Sequence, residues 1–295
     1  MTTSTTSTTT PTRRRTSTSE HGGSGASDKD QRLRELLSGF SSAIVAFSGG
    51  VDSAYLSVVA TQVLGSGALC VTADSPSYPE HHRSLARRVA EAFALRHEVV
   101  NTAELDRPEY RANPVNRCYY CKQELYTTLT ALASARAIDV VLDGNNADDR
   151  GDYRPGRQAA REHNVRSPLD EVGLTKAEIR ELSRAAGMAT WNEPASACLS
   201  SRIPYDHEIT SEKLRMVEQA EDALRALGFR VCRVRHHDTL ARLELGRDEI
   251  ARALDEGVRD DILRALRAVG YRQVAVDLQG YRMGSLNEGI TLQPV

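Results

Sequence analysis

The feature that most constrains this chain is the hexapeptide Ser-Gly-Gly-Val-Asp-Ser at residues 48–53, which directly follows a short apolar run at residues 43–47. The run is continuously apolar, which predicts a strand buried on both faces of a parallel sheet. A helical pattern follows the hexapeptide and ends at Gly65, a residue suited to a helix C-terminus. The hexapeptide is therefore predicted to form the turn between a buried strand and a helix.

The same alternation continues through the first half of the chain. Further strands are predicted at 68–72, 98–100 and 139–143, and helices at 80–93 and 122–135. Another helix is predicted to start at residues 174–178, where Thr175 and Glu178 form a capping box. Strands that alternate with helices predict an α/β fold, a doubly wound parallel sheet. Such sheets bind ligands at the carboxyl ends of their strands. We therefore expect the site at the loops that follow Phe47, Thr72 and Asp143.

The pattern changes near Tyr205. The remaining segments are a helix at 211–227, strands at 230–234 and 240–245, a helix at 248–269 that is broken near Gly257, and a strand at 271–277. This order predicts a smaller C-terminal α+β domain at 205–295 after an α/β domain at 29–204. The Ser/Thr-rich segment 1–28 is predicted to be a disordered tail, since it holds too few apolar residues to form a core.

Composition limits the classes of protein and of partner. The 38 Lys and Arg against 40 Asp and Glu give a net charge of -2, which provides no case for a nucleic-acid partner. The sequence contains no run of about 18 apolar residues, so no membrane span is predicted. The start of the chain also lacks the apolar stretch of a secretory signal, so a cytoplasmic protein is expected.

The five cysteines are too few and too scattered for a secreted disulfide framework. Cys118 and Cys121 form a Cys-x-x-Cys pair, and Cys198 lies in a polar segment farther along. The pair is compatible with half of a zinc site, with a redox pair, or, together with Cys198, with a [4Fe-4S] cluster that keeps one iron open. Cys70 and Cys232 lie in strand-like runs and are predicted to be core residues.

The hexapeptide has the chemistry of an anion-binding turn. Gly49 and Gly50 allow close approach of the backbone, and the hydroxyls of Ser48 and Ser53 are hydrogen-bond donors for phosphate oxygens. The turn lacks the Lys of a Walker loop. Asp52 suits a role linked to Mg²⁺ better than direct contact with phosphate. Further candidate Mg²⁺ ligands follow the fourth predicted strand: Asp148, Asp149 and Asp152.

The hexapeptide resembles the SGGxDS loop of the PP-loop ATP pyrophosphatases, which have an adenine nucleotide α-hydrolase-like fold. The resemblance implies ATP and Mg²⁺ as cofactors. It also implies that the loop holds the pyrophosphate of ATP while an oxygen of the substrate attacks the α-phosphate. The ATP-binding residues that it implies are Ser48, Gly49, Gly50, Asp52 and Ser53 in the loop, Ala73 and Ser75 near the adenine, and Gly144 near the ribose and phosphates.

Across residues 31–289 the chain resembles the LarE-type ATP-dependent sulfur transferases, in their three-cysteine, [4Fe-4S] subtype. The shared motifs occur in order at residues 48–53, 116–122 (NRCYYCK), 143–149 (DGNNADD), 153–156 (YRPG), 166–169 (RSPL), 197–202 (ACLSSR) and 233–236 (RVRH). The resemblance implies adenylation of a carboxylate of pyridinium-3,5-biscarboxylic acid mononucleotide. Its conversion to a thiocarboxylate follows, in the biosynthesis of the nickel-pincer nucleotide cofactor.

Two routes for the sulfur are known in that family. In one, a single cysteine at the position of Cys198 gives up its sulfur and ends as dehydroalanine. In the other, cysteines at the positions of Cys118, Cys121 and Cys198 hold a [4Fe-4S] cluster that carries an extra sulfide. Because all three cysteines are present here, the cluster route is the one we expect. Cys198 is the catalytic candidate in either case.

The resemblance also assigns the substrate phosphate to the basic segment of Arg233, Arg235 and His236. Strand alternation puts Arg233 and Arg235 on one face, and Arg forks suit phosphate. Arg202 is a candidate for steadying the adenylate or lowering the pKa of the Cys198 thiol. Glu221, on the long helix, is interpreted as part of a solvated face.

Two alternative functions stay open. One is another PP-loop enzyme, either a tRNA thiolase, which should have a basic surface, or an amide-forming ligase, which has no use for the cysteines. The other is a cluster-binding protein that senses ATP or redox state. The expected partners are a small-molecule nucleotide substrate and further copies of the chain, in trimer-based or hexameric assemblies. A nickel-insertion protein that receives the product is a further candidate partner.

Overall fold

The structure, a computed structural model, describes residues 1–2, 23–151, 155–194, 197–282 and 284–287. Most of the predicted tail and Asp152 lie outside these ranges. None of the described helices combines the length and apolar character that a membrane crossing requires.

A parallel sheet forms the centre of the first part of the chain, as the alternation predicts. Its strands are β1 (Ala43–Ala46), β2 (Ala68–Asp74), β3 (His97–Asn101) and β4 (Val140–Leu142), in the spatial order β3-β2-β1-β4. All three neighbouring pairs are parallel. The carboxyl ends of β2, β1 and β4 therefore stand side by side, which brings together the three loops that were expected to form the site.

Helices cover both faces of this sheet. They are α1 (Gly23–Ser38), α2 (Val51–Leu64), α3 (Glu80–Ala92), α4 (Pro108–Arg111), α5 (Arg117–Ala135), α6 (Gly156–Glu162), α7 (Pro168–Glu171) and α8 (Lys176–Ala185). Val45 and Cys70 point into a core with α1, α2 and α8, whereas Ile44 and Leu69 point into a core with α5 and α6. The predicted doubly wound α/β fold is confirmed, and Cys70 is a core residue.

A second, smaller sheet lies in the C-terminal part. Its elements are α9 (Ser211–Ala226), β5 (Cys232–His237), β6 (Leu240–Leu245), α10 (Ile250–Leu254), α11 (Glu256–Val269) and β7 (Gln273–Val276). The spatial order is β5-β6-β7, with β5 antiparallel and β7 parallel to β6. Cys232 is buried in the core of this unit, as predicted. The division of the chain at residue 204 stays a prediction, and one apolar cluster crosses it, because Leu199 and Ile203 pack with Leu214 and Val217.

Two boundaries differ from the sequence-based expectations. Helix α1 begins at Gly23, before the end of the predicted tail at residue 28, because Ala26 is buried and Lys29 pairs with Glu178. The long C-terminal helix is interrupted at Asp255, whose extended backbone separates α10 from α11, rather than at Gly257. Gly257 is accommodated inside the first turn of α11.

Candidate functional site

The phosphate loop, residues 48–53, is closed by its own serines. Ser53 Oγ accepts a hydrogen bond from the Ser48 amide at 3.1 Å and lies 3.0 Å from Ser48 Oγ. Tyr78 Oη donates to the Ser48 carbonyl at 2.9 Å. Since α2 begins at Val51, the loop leads straight into a helix N-terminus, whose first amides carry partial positive charge. Such a turn suits a phosphate group.

Glycine is required in this loop because of its neighbours. Gly49 has φ of 68°, and a Cβ there would lie 2.8 Å from the Ala86 amide nitrogen of α3. A Cβ on Gly144, in the loop after β4, would lie 3.0 Å from the Ser53 amide nitrogen. Helix α3 and the loop after β4 thus pack closely against the phosphate loop from two sides. The structure therefore brings Gly144 next to the loop, and its contact with the ribose and phosphates of ATP stays a prediction.

Two of the acidic candidates for Mg²⁺, Asp52 and Asp148, contact the same lysine. Asp52 forms an ion pair with Lys176 Nζ, and the Lys176 amide donates to Asp148 Oδ2 at 2.8 Å. The Asp149 carboxylate accepts from the Asn146 amide at 3.0 Å. Among the residues that the structure describes, no three His, Cys, Asp or Glu side chains form a metal site. Mg²⁺ binding by Asp52, Asp148 or Asp149 stays a prediction, as does that by Asp152, which lies outside the described residues.

Lys176 was missed by the sequence analysis. It is the first residue of α8, after the Thr175–Glu178 capping box that the sequence predicted and the structure confirms. A cation in the first turn opposes the helix dipole. That unfavourable placement is the signal by which Lys176 could have been found.

The end of β2 forms a buried hydroxyl cluster beside the loop. Ala73 pairs with Val100 inside the sheet, and Ser75 Oγ lies 3.0 Å from Ser77 Oγ. Ser77 Oγ in turn donates to Glu104 Oε1 at 2.6 Å. These bonds fix the backbone next to the phosphate loop. The contact of Ala73 and Ser75 with adenine stays a prediction.

The three cysteines come from two separate segments. Cys118 and Cys121 lie in the first turns of α5, and Cys198 precedes a 3₁₀ turn at Leu199–Arg202. Arg117 Nη1, at the start of α5, donates to the Ser200 carbonyl at 3.0 Å, so the two segments are in direct contact.

The same 3₁₀ turn is also tied to the rest of the α/β part. The Leu199 amide donates to the Ser77 carbonyl at 2.9 Å, and the hydroxyls of Tyr110 and Ser200 lie 2.6 Å apart. The turn that follows Cys198 is thereby attached to the loop after β2. The cysteines consequently lie next to the carboxyl edge of the large sheet.

The thiols influence one another electrostatically. Desolvation raises the pKa of the Cys118 thiol, and the charge of Arg117 opposes this rise while that of Cys198 adds to it. Desolvation, Glu104 and Cys198 all raise the pKa of Cys121. Cys198 is thus close enough to the Cys-x-x-Cys pair for its charge to act on both thiols, and all three are free thiols. Their joint binding of a cluster stays a prediction.

All three side-chain nitrogens of Arg202 donate hydrogen bonds to other groups of the protein. Its side chain is 1% exposed, with Nε and Nη2 donating to the two oxygens of Glu221 at 2.7 and 3.0 Å. Its Nη1 donates to the carbonyls of Ala197 and Cys198 at 2.7 and 2.9 Å. The expectation that Glu221 lies on a solvated face was wrong, since it is 0% exposed. The signal was available, because Glu221 shares the apolar spacing of Val217, Ala220 and Leu224 on α9.

Arg233 and Arg235 share one face of β5, as alternation predicts. Arg233 lies over the Tyr281 ring at 5.0 Å, and Arg235 Nη2 donates to Glu244 Oε2 at 2.7 Å. His236 projects from the opposite face, where its Nδ1 lies 2.9 Å from Tyr271 Oη. The structure therefore separates His236 from the two arginines, because successive strand residues point to opposite faces.

His82 lies between the phosphate loop and the arginines. Its backbone carbonyl oxygen would be 3.1 Å from a Cβ on Gly49, and its ring packs edge-on against Tyr78. Desolvation, together with the charges of His81, Arg202 and Arg233, lowers the pKa of His82 to about 4. The imidazole is thus neutral at pH 7.

Comparison with known proteins gives consistent matches. Residues 33–258 match the family model described as asparagine synthase. The chain is 43% identical over 263 residues to an uncharacterized protein of Synechocystis sp., covering 89% of this chain and 98% of that one. It is 35% identical over 248 residues to pyridinium-3,5-bisthiocarboxylic acid mononucleotide synthase of Lactiplantibacillus plantarum, covering 84% and 89%. It is also 30% identical over 194 residues to one of the chains of the glutamine-hydrolyzing GMP synthase of Thermoplasma acidophilum, covering 60% and 61%.

Proposed function

The chain belongs to the PP-loop ATP pyrophosphatase family and, within it, to the LarE-type sulfur transferases, and we propose that it sulfurates pyridinium-3,5-biscarboxylic acid mononucleotide. It is an ATP-using enzyme of that family. The proposed product is a thiocarboxylate, formed with release of AMP and pyrophosphate in nickel-pincer nucleotide biosynthesis. The relative from Lactiplantibacillus plantarum bears a name that states this product chemistry.

The observation that carries the proposal is the contact between the start of α5 and the turn after Cys198, two segments that carry three free thiols near the phosphate loop. An amide-forming ligase delivers nitrogen and has no use for such thiols. A tRNA thiolase should present a basic surface, which the net charge of -2 does not favour. A sensor of ATP or redox state would bind ATP without releasing pyrophosphate.

The phosphate loop and Lys176 supply the electrostatics of the first step. A substrate carboxylate oxygen bonds to the α-phosphorus of ATP, and the bond from that phosphorus to the β-phosphate oxygen breaks. The amides at the start of α2 and the serine hydroxyls would bind the departing pyrophosphate. Lys176, now paired with Asp52, would add a positive charge beside it. Asp52 and Asp148 are the carboxylates available to Mg²⁺.

A sulfur nucleophile completes the reaction. It attacks the acyl carbon of the adenylate, and AMP leaves with the electrons of the broken C–O bond. If Cys198 is the donor, its sulfur forms a thioester, after which loss of its Cα proton and cleavage of its Cβ–S bond leave dehydroalanine. The protein is then consumed in one turnover.

The donor set also fits a [4Fe-4S] cluster. Cys118, Cys121 and Cys198 are three free thiols, exposed at Cys118 and half-buried at the other two, with Arg117 close to Cys118 and Cys198. They would bind three irons and leave one open. When bound, the cluster would supply a replaceable sulfide, so that the protein could turn over repeatedly. Arg117 would balance part of the negative charge of the thiolates.

The substrate phosphate is proposed to bind at Arg233, whose fork suits it, beside Arg235, whose Nη1 and Nη2 are held by the Ser201 carbonyl and Glu244 and which would add its positive charge. His236 is left out of this site because it lies on the other face of β5. A homo-oligomer, hexameric as in the family, and product transfer to a nickel-insertion protein are further parts of the proposal.

The test is an assay of both half-reactions with the same enzyme preparation. Purified protein is mixed with MgATP and the biscarboxylic nucleotide, and pyrophosphate and thiocarboxylate are measured. We expect pyrophosphate release that depends on the nucleotide, with thiocarboxylate formed in the wild type and not in Cys198→Ala. Cys232→Ala is the matched control, since Cys232 is buried in the C-terminal core. Absence of nucleotide-dependent pyrophosphate release would refute the proposal.

A further inference from the structure

The backbone of Cys198 is held from the C-terminal unit. Cys198 lies in a segment without regular structure, just before a single 3₁₀ turn. Its carbonyl, together with that of Ala197, accepts hydrogen bonds from Arg202 Nη1. The other edge of the same guanidinium is bound by Glu221 of α9.

Glu221 is itself fixed by several donors. Besides the two bonds from Arg202, its carboxylate accepts from Arg225 Nη2 at 3.0 Å and from the Val234 amide of β5 at 3.1 Å. Burial alone would raise the pKa of Glu221, but the charge of Arg202 and its hydrogen bonds keep that pKa below the usual value. The Glu221 carboxylate is thus anionic and buried. Because it already accepts four hydrogen bonds, it does not suit a role as a catalytic acid or base.

A buried ion pair such as that of Arg202 and Glu221 adds little to the free energy of unfolding. The cost of removing both charges from water roughly cancels their attraction, so an apolar pair of similar volume would serve stability as well. What the ion pair adds is a fixed geometry. A guanidinium has donors on two edges of one plane and can bind a carboxylate and two carbonyls together, which an ammonium group cannot match.

A second bond between the units acts on the same turn. Arg235 Nη1, from β5, donates to the Ser201 carbonyl at 2.7 Å. The turn that follows Cys198 is therefore anchored to α9 through Arg202 and to β5 through Arg235. Both anchors belong to the C-terminal unit, whereas Cys118 and Cys121 are carried by α5 of the α/β part.

We propose that Glu221, acting through Arg202, is the positioning residue that holds Cys198 against Cys118 and Cys121. The C-terminal unit would thereby control where the sulfur-bearing residue stands relative to the phosphate loop. Only the consequence for sulfur transfer rests on the proposed function. The position of the thiol can be tested without it.

The test compares Glu221→Gln and Arg202→Lys with two matched controls. Asp222→Asn removes one negative charge from an exposed side chain at the next position of α9, which matches Glu221→Gln. Arg215→Lys makes the same substitution as Arg202→Lys at an exposed arginine. Full-length protein is treated with a chelator and a reductant, and alkylation of Cys198 relative to Cys118 is followed by mass spectrometry of peptides. We expect this ratio to change about tenfold in Glu221→Gln and Arg202→Lys, since a freed loop samples other positions. Both controls should stay within about twofold of the wild type.

Activity gives a second readout that a merely structural role would not move. Thiocarboxylate formation should fall about a hundredfold in Glu221→Gln and Arg202→Lys, as for a misplaced reacting group, while nucleotide-dependent pyrophosphate release stays within about threefold. Glu221→Gln preserves volume, and circular dichroism checks that the variants are folded. An unchanged alkylation ratio, or equal losses in both half-reactions, would overturn the proposal. If the wild type forms no thiocarboxylate, the proposed function fails, and the alkylation ratio still decides the positioning role.

Discussion

The phosphate loop and the cysteine region are built in opposite ways. The loop is one hexapeptide whose shape comes from its own backbone, its serines and the helix that it starts. The cysteine region has no such local unit, since its thiols come from α5 and from a turn held by Arg202 and Glu221. The phosphate loop is thus closed mainly by bonds within one short segment, whereas the arrangement of the three cysteines depends on contacts between distant parts of the chain.

This difference predicts how the two regions respond to substitution. Changes in the phosphate loop should affect ATP chemistry and leave the thiols alone. Changes in the contacts around Cys198 should affect the thiols and leave ATP chemistry alone. The largest effect is expected from the loop itself.

Gly49→Ala should nearly abolish ATP chemistry. The new Cβ would lie 2.8 Å from the Ala86 amide nitrogen at a residue with φ of 68°, so the loop must shift away from α3. We expect nucleotide-dependent pyrophosphate release to fall about a hundredfold or more, because misplacement by about 1 Å has such an effect. Gly65→Ala is the control, since it also has positive φ but nothing lies within 4 Å of its Cβ. Equal activity of the two variants would contradict the close packing of α3 on the phosphate loop.

Tyr110→Phe should act on the other region. It removes a buried hydrogen bond and leaves the Ser200 hydroxyl, 2.6 Å away, without that partner. The free energy of unfolding, measured in urea, should fall by about 2 kcal/mol. Pyrophosphate release by the folded variant should be unchanged. In Tyr119→Phe the hydroxyl lost is an exposed partner of Glu162, so a stability loss as large as in Tyr110→Phe would argue against this assignment.

Lys176→Met should weaken ATP binding without touching the cysteines. It removes the positive charge beside the phosphate loop and breaks the ion pair between Lys176 and Asp52. The KM for ATP should rise about tenfold, equivalent to ~1.4 kcal/mol. The alkylation rate of Cys198 should stay as in the wild type, and a changed rate would show that the two regions are not separable here. Lys213→Met, on α9, is the control.

His82 lies between the two regions and should make stability depend on pH. The unfolded imidazole binds a proton below pH of about 6.5, whereas the folded one does so only below about 4. The unfolded state therefore binds more protons in this window, and stability falls as the pH is lowered from about 6.5 toward 4. With allowance for partial exposure, the loss is about 1 kcal/mol. Urea unfolding of wild type and His82→Gln across this range measures it, and identical pH slopes would exclude the effect.

The parts of the molecule that were correctly predicted from sequence depend mainly on contacts between residues that are close in sequence. The strand, turn and helix at residues 43–64 and the capping box at Thr175 are set by neighbours in sequence, and both are as predicted. The face shared by Arg233 and Arg235 follows from strand alternation, which also explains why grouping His236 with them fails.

The contacts that sequence did not predict join distant residues. Arg202 and Glu221 are 19 positions apart, and their pairing depends on how the turn after Cys198 packs against α9. Lys176 reaches Asp52 across 124 positions, through the packing of α8 on α2. Neither contact can be predicted from a single sequence, although the apolar spacing around Glu221 predicts that the Glu221 side chain faces the core.

The convergence of the three cysteines is the central claim, and iron analysis tests it most directly. Protein purified without oxygen is assayed for iron and acid-labile sulfide in the wild type, Cys118→Ala and the core control Cys70→Ala. We predict about four irons per chain in the wild type and in Cys70→Ala, with loss of iron and sulfide in Cys118→Ala. Protein that contains no iron, or iron that survives Cys118→Ala unchanged, would contradict a cluster held jointly by α5 and the Cys198 turn.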